Sequence, residues 1–379
     1  MSAFETGNHA SILRSRKALR ASSTVIIANS PLFGLKITQL LTNNLIVTDI
    51  TPSTDTAQSP DAIASTSAPT NRPRRRWFWW SLFWISTPLS LIGLVLWLTV
   101  RDESQLTAPL YYATPLPLIV AGLLVSSECL RMLSRRLISR CVLVAAIIIA
   151  MCWLKDSYLF RSETPPRESI KLVFWNVNRG NLGYTAIAEE IATYNADIVA
   201  LVEATGHGQD VLTWKKHLAG YELHKLGSGM MVFVRGQLFD MEPGRFKEAL
   251  GYRILRLGLP QGEFALTIVD VASDPLLSRR PAFDKINEIT NRHPKLPHVM
   301  VGDFNTPPDS VHFDRLPAEY TNAFIEKGSG LRETWPSTSP VLHLDQVWGD
   351  RKVQWHRCLH GWTLRSDHRP VVVEFSLKQ

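Results

Sequence analysis

The chain has 379 residues, 41 Lys+Arg against 34 Asp+Glu and 45% hydrophobic residues, and it carries two separate 24-residue stretches without any charge. Uncharged runs of that length predict a membrane protein rather than a plain soluble enzyme. Residues 168–379 hold 24 basic and 25 acidic side chains, against 17 basic and 9 acidic ones in residues 1–167, so the basic excess belongs to the N-terminal part and gives no ground for a nucleic-acid-binding surface on the C-terminal part.

Residues 1–71 read as a leader and linker. Arg14, Arg16, Lys17 and Arg20 face one acid, Glu5, in the first 20 positions, and 16 of the 21 residues in 51–71 are Ser, Thr, Pro or Ala with no aromatic residue. Such a segment buries too little apolar surface to offset ordering, which predicts disorder. Residues 72–160 read as a membrane region with three spans, at about 77–100, 107–127 and 137–155. Trp77, Trp79, Trp80 and Trp97 sit at the ends of the first as interfacial anchors. Pro109, Pro115 and Pro117 make the start of the second irregular. The third has an uncharged centre of only 14 residues, Cys141–Leu154, a length equally compatible with a buried or interfacial helix. Arg72, Arg74, Arg75 and Arg76 precede the first span, and Arg131, Arg135, Arg136 and Arg140 lie between the second and third. The positive-inside bias then puts the C-terminal domain outside the cytoplasm.

From Ile170 the pattern changes to short apolar runs between Gly- and Pro-bearing turns, a mixed α/β texture. Strands are expected at Ile170–Trp175, Asp197–Val202, Met230–Val234, Ile254–Leu259, Glu263–Val271, His298–Val301, Leu344–Trp348 and Pro370–Phe375, and helices at Thr185–Tyr194 and Ser278–His293. The four cysteines, Cys129, Cys141, Cys152 and Cys358, offer no disulfide framework and no thiolate cluster.

Polar residues gather just past the strand ends: Asn176 and Asn178 after the first, Glu203 after the second, Gly302-Asp303-Phe304-Asn305, Asp345 within His343–Trp348, and Ser366-Asp367-His368 before the last. Hard oxygen donors of this kind suit Mg²⁺ or Mn²⁺ sharing its shell with a substrate phosphate. Glu203 is the candidate metal ligand. Asp303 is placed to prepare a water, and Asn305, Asn176 and protonated His368 to meet charge building on phosphoryl oxygens. Asp345 is expected to assist the metal or water, and Asp367 to orient the His368 ring. Arg279 and Arg280 open the following helix and offer positive charge to a phosphate, equally well read as a solvated helix start.

The ordered set Phe174–Asn178, Ala196–Glu203, Val301–Asn305, Leu344–Val347 and Ser366–Pro370 resembles the endonuclease/exonuclease/phosphatase family, over about residues 168–379. The resemblance implies a four-layer α/β sandwich of two mostly antiparallel sheets covered by helices, here preceded by transmembrane helices. It implies metal-dependent hydrolysis of phosphate esters, with Glu203 and Asn176 at the metal and Asp303, Asn305, Asp345, Asp367 and His368 catalytic. Asn178 and Arg280 are expected, from their own chemistry, toward the substrate. One departure stands out: the family's second active-site histidine aligns with Ala272, and His207 or His343 are the candidates to replace it in space. Nucleic acid, a lipid head group, as in the sphingomyelinases of the family, and a small phosphate ester all remain open as substrates. The rival reading, motivated by Ala272, is a non-catalytic, partner-binding domain of the same fold.

Overall fold

In a computed structural model, residues 72–161, 163–204 and 211–378 are described. The expected leader and linker, and His207, lie outside the described residues.

The N-terminal part begins with the helix Arg72–Leu98, continues through a short helix, Ala108–Ala113, into Leu116–Met132, and ends in Arg136–Ser157. Among the described residues two segments are long and apolar enough to cross a membrane: Arg76–Leu98, with mean hydropathy 1.8, and Arg136–Ser157, with 2.4. The expected span 107–127 takes a different form. Prolines at 115 and 117 start a fresh helix, and the segment breaks at Thr114 into six and seventeen residues, the longer about 26 Å in length. The third segment, in contrast, is helical well beyond its uncharged centre. It ends where Tyr158–Leu159 (β1) leave the helix and pair with Leu331 and Gly330.

The helices pack through small and hydroxyl-bearing residues. Ser126 Oγ lies 2.9 Å from Ser86 Oγ and accepts from Thr87 at 2.8 Å, and Ser127 and Ser139 exchange hydrogen bonds. A Cβ on Gly122 would meet Ser90 Oγ at 2.1 Å. Close backbone approach of this kind is the packing used where lipid gives no hydrophobic drive between helices. The outer faces are apolar and exposed: Trp84, Ile85, Val95, Leu137 and Met151 are each more than half accessible.

The C-terminal part is built on two sheets. The first has eight strands in the order β1 (Tyr158–Leu159), β11 (Gly328–Leu331), β13 (Val353–His360), β14 (Val371–Leu377), β2 (Ile170–Asn176), β3 (Ile198–Val202), β5 (Met230–Val234) and β4 (Glu222–Gly227). The second has six, in the order β10 (Thr321–Asn322), β12 (Asp345–Gly349), β9 (His298–Asp303), β8 (Gly262–Val271), β7 (Leu250–Leu259) and β6 (Gln237–Phe246). Pairings are antiparallel except β2 with β3, β8 with β9 and β11 with β13.

Alternation decides the layers. Leu172, Phe174, Ala200 and Val202 face Leu266, Ile268, Val299 and Val301 in one core between the sheets. The residues between them, Val173, Trp175, Val199 and Leu201, pack outward on Ile187, Ile191 and Trp214 of the helices Tyr184–Tyr194 and Val211–His217. On the other side Val269, Met300 and Trp348 meet Ala282, Phe283 and Ile286 of the helix Arg280–Ile289. Covering both faces of each sheet is why these strands read as continuous apolar runs. The result is the expected four-layer sandwich.

Candidate active site

The two sheets bring their functional strand ends to one edge of the sandwich. β2 and β3 run parallel, so Asn176 and Glu203 leave the first sheet side by side. Asp303 ends β9 in the second sheet, where it is in register with Asp345 of β12 on one side and Asp270 of β8 on the other. The segment Ser366–His368 enters β14, which lies antiparallel to β2. Glu203 and Asn305 both adopt left-handed backbone, with φ of 51° and 45°. For Glu203 that conformation is uncommon and turns the chain sharply at the strand end.

Asn176 joins the sheets. Its Nδ2 donates to Glu203 Oε1 and to Asp303 Oδ2, each at 3.0 Å, while its Oδ1 accepts from Asn178 N at 3.0 Å. Asn305 N donates to Asp303 Oδ1 at 2.9 Å, and Asn305 Nδ2 donates to Val271 O at 2.8 Å. The His368 ring stands between two carboxylates, with Nδ1 2.8 Å from Asp345 Oδ2 and Nε2 3.8 Å from Asp303 Oδ2. Burial works against charge on this imidazole, yet Asp345 and then Asp303 raise its pKa to about 10, so the ring is an imidazolium at neutral pH.

The geometry departs from several expected contacts. The carboxylate hydrogen-bonded to the His368 ring is that of Asp345 and not that of Asp367. Asp367 lines the cleft and its Oδ2 accepts from Trp335 Nε1 at 3.3 Å. Asn178 acts on its neighbours, its backbone N holding Asn176 and its side-chain carbonyl accepting from Asn181 at 2.8 Å. Arg280 is exposed, whereas Arg279 is 3% accessible and lines the cleft. His343 is no stand-in for the missing histidine: it is buried against Phe324 and His360 and lies outside the cleft lining. Ala272 lines an adjoining groove with Glu203, Asp270 and Asn305.

Asp270 is the site residue that the motif reading missed, although a single acid inside the apolar run Phe264–Val271 was a visible signal. Burial, then Asp303 and Glu203, push its carboxyl up to about 7. Asp303 is raised to about 6, by burial against the pull of His368 and with a further push from Asp345. Carboxylates crowded to this degree around one imidazolium form an excess of negative charge that a hard divalent cation would offset, with oxygen donors of the right chemistry in Glu203, Asp270 and Asp303. Asp345 lies at the same point, with the protonated His368 ring between it and Asp303, so the oxygen donors and not the imidazole would meet the ion. Residues and charge therefore fit a hard divalent cation.

The profile of the Endonuclease/Exonuclease/phosphatase family matches residues 173–368, the stretch that holds all these strand ends. Among curated proteins no sequence matches the chain. Similar solved structures include a family protein from Bacteroides thetaiotaomicron, 15% identical with a TM-score of 0.48, covering 57% of this chain and 100% of that one. A mannosyl-6-phosphatase of the same organism is 16% identical with a TM-score of 0.49 and coverages of 55% and 100%. The human Nocturnin catalytic domain, with bound sulfate, is 18% identical with a TM-score of 0.44 and coverages of 57% and 98%. With more than half of its length inside the family profile, the chain belongs to the endonuclease/exonuclease/phosphatase family and is a hydrolase of phosphate-ester bonds.

Proposed function

We propose that the protein is a membrane-anchored phosphoesterase that uses Mg²⁺ or Mn²⁺, with its catalytic domain outside the cytoplasm. The single observation that carries the chemistry is the convergence of Asn176, Glu203, Asp303 and His368 from two sheets onto one point. Glu203, which Asn176 Nδ2 positions by a hydrogen bond, would hold the cation, which would supply charge neutralisation for a bound phosphate. Asp303 takes the proton of the attacking water. His368, kept protonated by Asp345, donates to a phosphoryl oxygen as negative charge grows there. Asn305 fixes Asp303 through its backbone N–H. The intact set of these groups supports catalysis over the partner-binding alternative.

Membrane anchoring rests on the exposed apolar faces and on the polar, small-residue packing within the helices, which together suit lipid better than water. Ser157 and the connection 99–115 lie at the end of the helices that adjoins the catalytic domain: Trp97 Nε1 donates to Asp309 Oδ2 at 2.7 Å, and Trp153 Nε1 to Glu333 Oε1 at 3.0 Å. The arginine-bearing turn at Leu133–Arg135 belongs to the opposite end. That separation of arginines from catalytic domain supports the outside orientation.

The test is hydrolysis of a panel of DNA, RNA, phospholipid and phosphomonoester substrates by the full chain in detergent micelles. Activity is expected with Mg²⁺ or Mn²⁺, to vanish in excess EDTA, and to drop by roughly 10² or more in Glu203→Gln. Full turnover in EDTA, or in Glu203→Gln, would refute the metal assignment.

A further inference from the structure

The connection between the first two long helices does more than link them. Asp102, 1% accessible, accepts from Tyr112 OH at 2.7 Å, Ser310 Oγ at 2.5 Å and Val311 N at 3.1 Å. Asp309 of the catalytic domain accepts in turn from Trp97 Nε1 and, at 2.8 Å, from Tyr111 OH, and its backbone carbonyl accepts from Arg101. These bonds fix the connection on the catalytic domain beside the active site. Pro109, Tyr112 and Ala113 then form a wall of the same cleft that holds Glu203, Asp303, Asn305 and His368.

The cleft, about 1140 Å³ with its open mouth included, has two chemically different kinds of lining. One is the catalytic cluster. The other is largely apolar, made by Pro109, Tyr112, Ala113, Pro275, Leu342 and Leu344. Arg279 lines the same cleft. Its guanidinium lies over the Tyr112 ring, 5.7 Å from the centroid, and Nη1 donates to Asp274 O at 3.0 Å. Its buried Nε has no hydrogen-bond partner among the described residues. A buried guanidinium with an unused donor, facing a phosphoesterase cleft, is a ready partner for a phosphoryl oxygen. It also provides positive charge in a family member whose usual histidine position is Ala272. Next to the wall in sequence, Leu106 is 92% and Leu276 65% accessible, apolar side chains displayed on the same segments that line the cleft.

We propose that the membrane-proximal connection completes the active site, and that the substrate is a phosphate ester of a lipid, its phosphate held by Arg279 and the start of its chain by the Pro109–Tyr112–Ala113 wall. This rests on the phosphoesterase reading above. A lipid entering from the bilayer meets the apolar wall first and carries its phosphate toward Asp303 and His368, whereas a water-soluble ester leaves that wall unused.

The experiment uses the full chain in phosphatidylcholine proteoliposomes carrying phosphatidic acid or sphingomyelin. Dibutyryl phosphatidic acid, p-nitrophenyl phosphate and bis(p-nitrophenyl) phosphate serve as soluble esters. At least one long-chain lipid should show a kcat/KM roughly tenfold or more above its soluble counterpart, since each buried methylene adds a severalfold preference. Ala113 is exposed in the wall, so Ala113→Trp fills it with little demand on the fold; the long-chain to short-chain ratio of kcat/KM should fall about tenfold. Arg279→Gln should lower kcat/KM roughly tenfold or more for lipid and soluble esters alike, with partial rescue in Arg279→Lys. Equal rates on soluble esters and lipids, or an unchanged ratio in Ala113→Trp, would overturn the lipid assignment while leaving the phosphoesterase standing. Full activity in Arg279→Gln would remove that residue from the phosphate. Cleavage of DNA or RNA with none of these esters hydrolysed would likewise overturn the lipid assignment, and no hydrolysis of these esters or of nucleic acid would remove the mechanism proposed above and this inference with it.

Discussion

Replacing Asp345 by Asn tests the electrostatic core of the mechanism. Asp345 Oδ2 sits 2.8 Å from His368 Nδ1, and its carboxylate is the foremost influence raising the His368 pKa to about 10 against the opposing effect of burial. Two opposite unit charges about 4 Å apart attract by roughly 4 kcal/mol at an effective dielectric of about 20, equivalent to about three pKa units. The amide is nearly isosteric and keeps a hydrogen-bonding oxygen for Nδ1, so the ring stays in place while its affinity for a proton falls, bringing His368 to roughly 7. The direction follows from the role. A donor to phosphoryl oxygen works only while protonated, so activity is lost as pH rises through the His368 pKa. The alkaline limb of the kcat/KM profile should therefore move from about 10 in the wild type to roughly 7 in Asp345→Asn, with a loss near 10² at pH 9 and a much smaller one at pH 6. Stopped assays of a phosphodiester across this range, with the ring proton of His368 followed by NMR, read both quantities. An alkaline limb that stays in place while turnover falls evenly at every pH would refute the argument, because Asp345 would then act by shape or by metal binding and not through the charge of His368.

Ala272→His places an imidazole in the groove shared with Glu203, Asp270 and Asn305, and should raise turnover by up to roughly 10² if the missing donor limits the reaction; no gain would show that Arg279 or another group already meets that oxygen. Topology is open to a direct measurement with reporters active only outside the cytoplasm, fused after Gln379 and separately after Arg136. Signal is expected at Gln379 and not at Arg136, and silence at both would put the catalytic domain in the cytoplasm.

The strand-end motifs were legible because each is a short, local pattern: an apolar run whose last residue turns polar where the chain leaves a sheet. Asn176, Glu203, Asp303 and His368 could be picked out in this way, and so could the sandwich, since runs such as Ile170–Trp175 and Val299–Val301 are apolar on both faces. The short and edge strands were not visible. β13 breaks its alternation with an irregularity between Trp355 and Arg357, and β1, β10 and β11 are two to four residues long, held by partners distant in sequence. The same limit applies within the site. The motifs assigned Asp345 to the metal or water and only Asp367 to the His368 ring, and it took the antiparallel register of β12 on β9 to decide which carboxylate reaches the ring. Helix phase likewise decided that Arg279 turns into the cleft and Arg280 to solvent. The wall made by Pro109, Tyr112 and Ala113 lies nearly two hundred residues from the aspartate it adjoins, and no local pattern encodes such a contact. It exists because the carboxylates of buried Asp102 and half-buried Asp309 must find donors, and Ser310, Val311, Trp97 and Tyr111 supply them across the boundary between the helices and the catalytic domain.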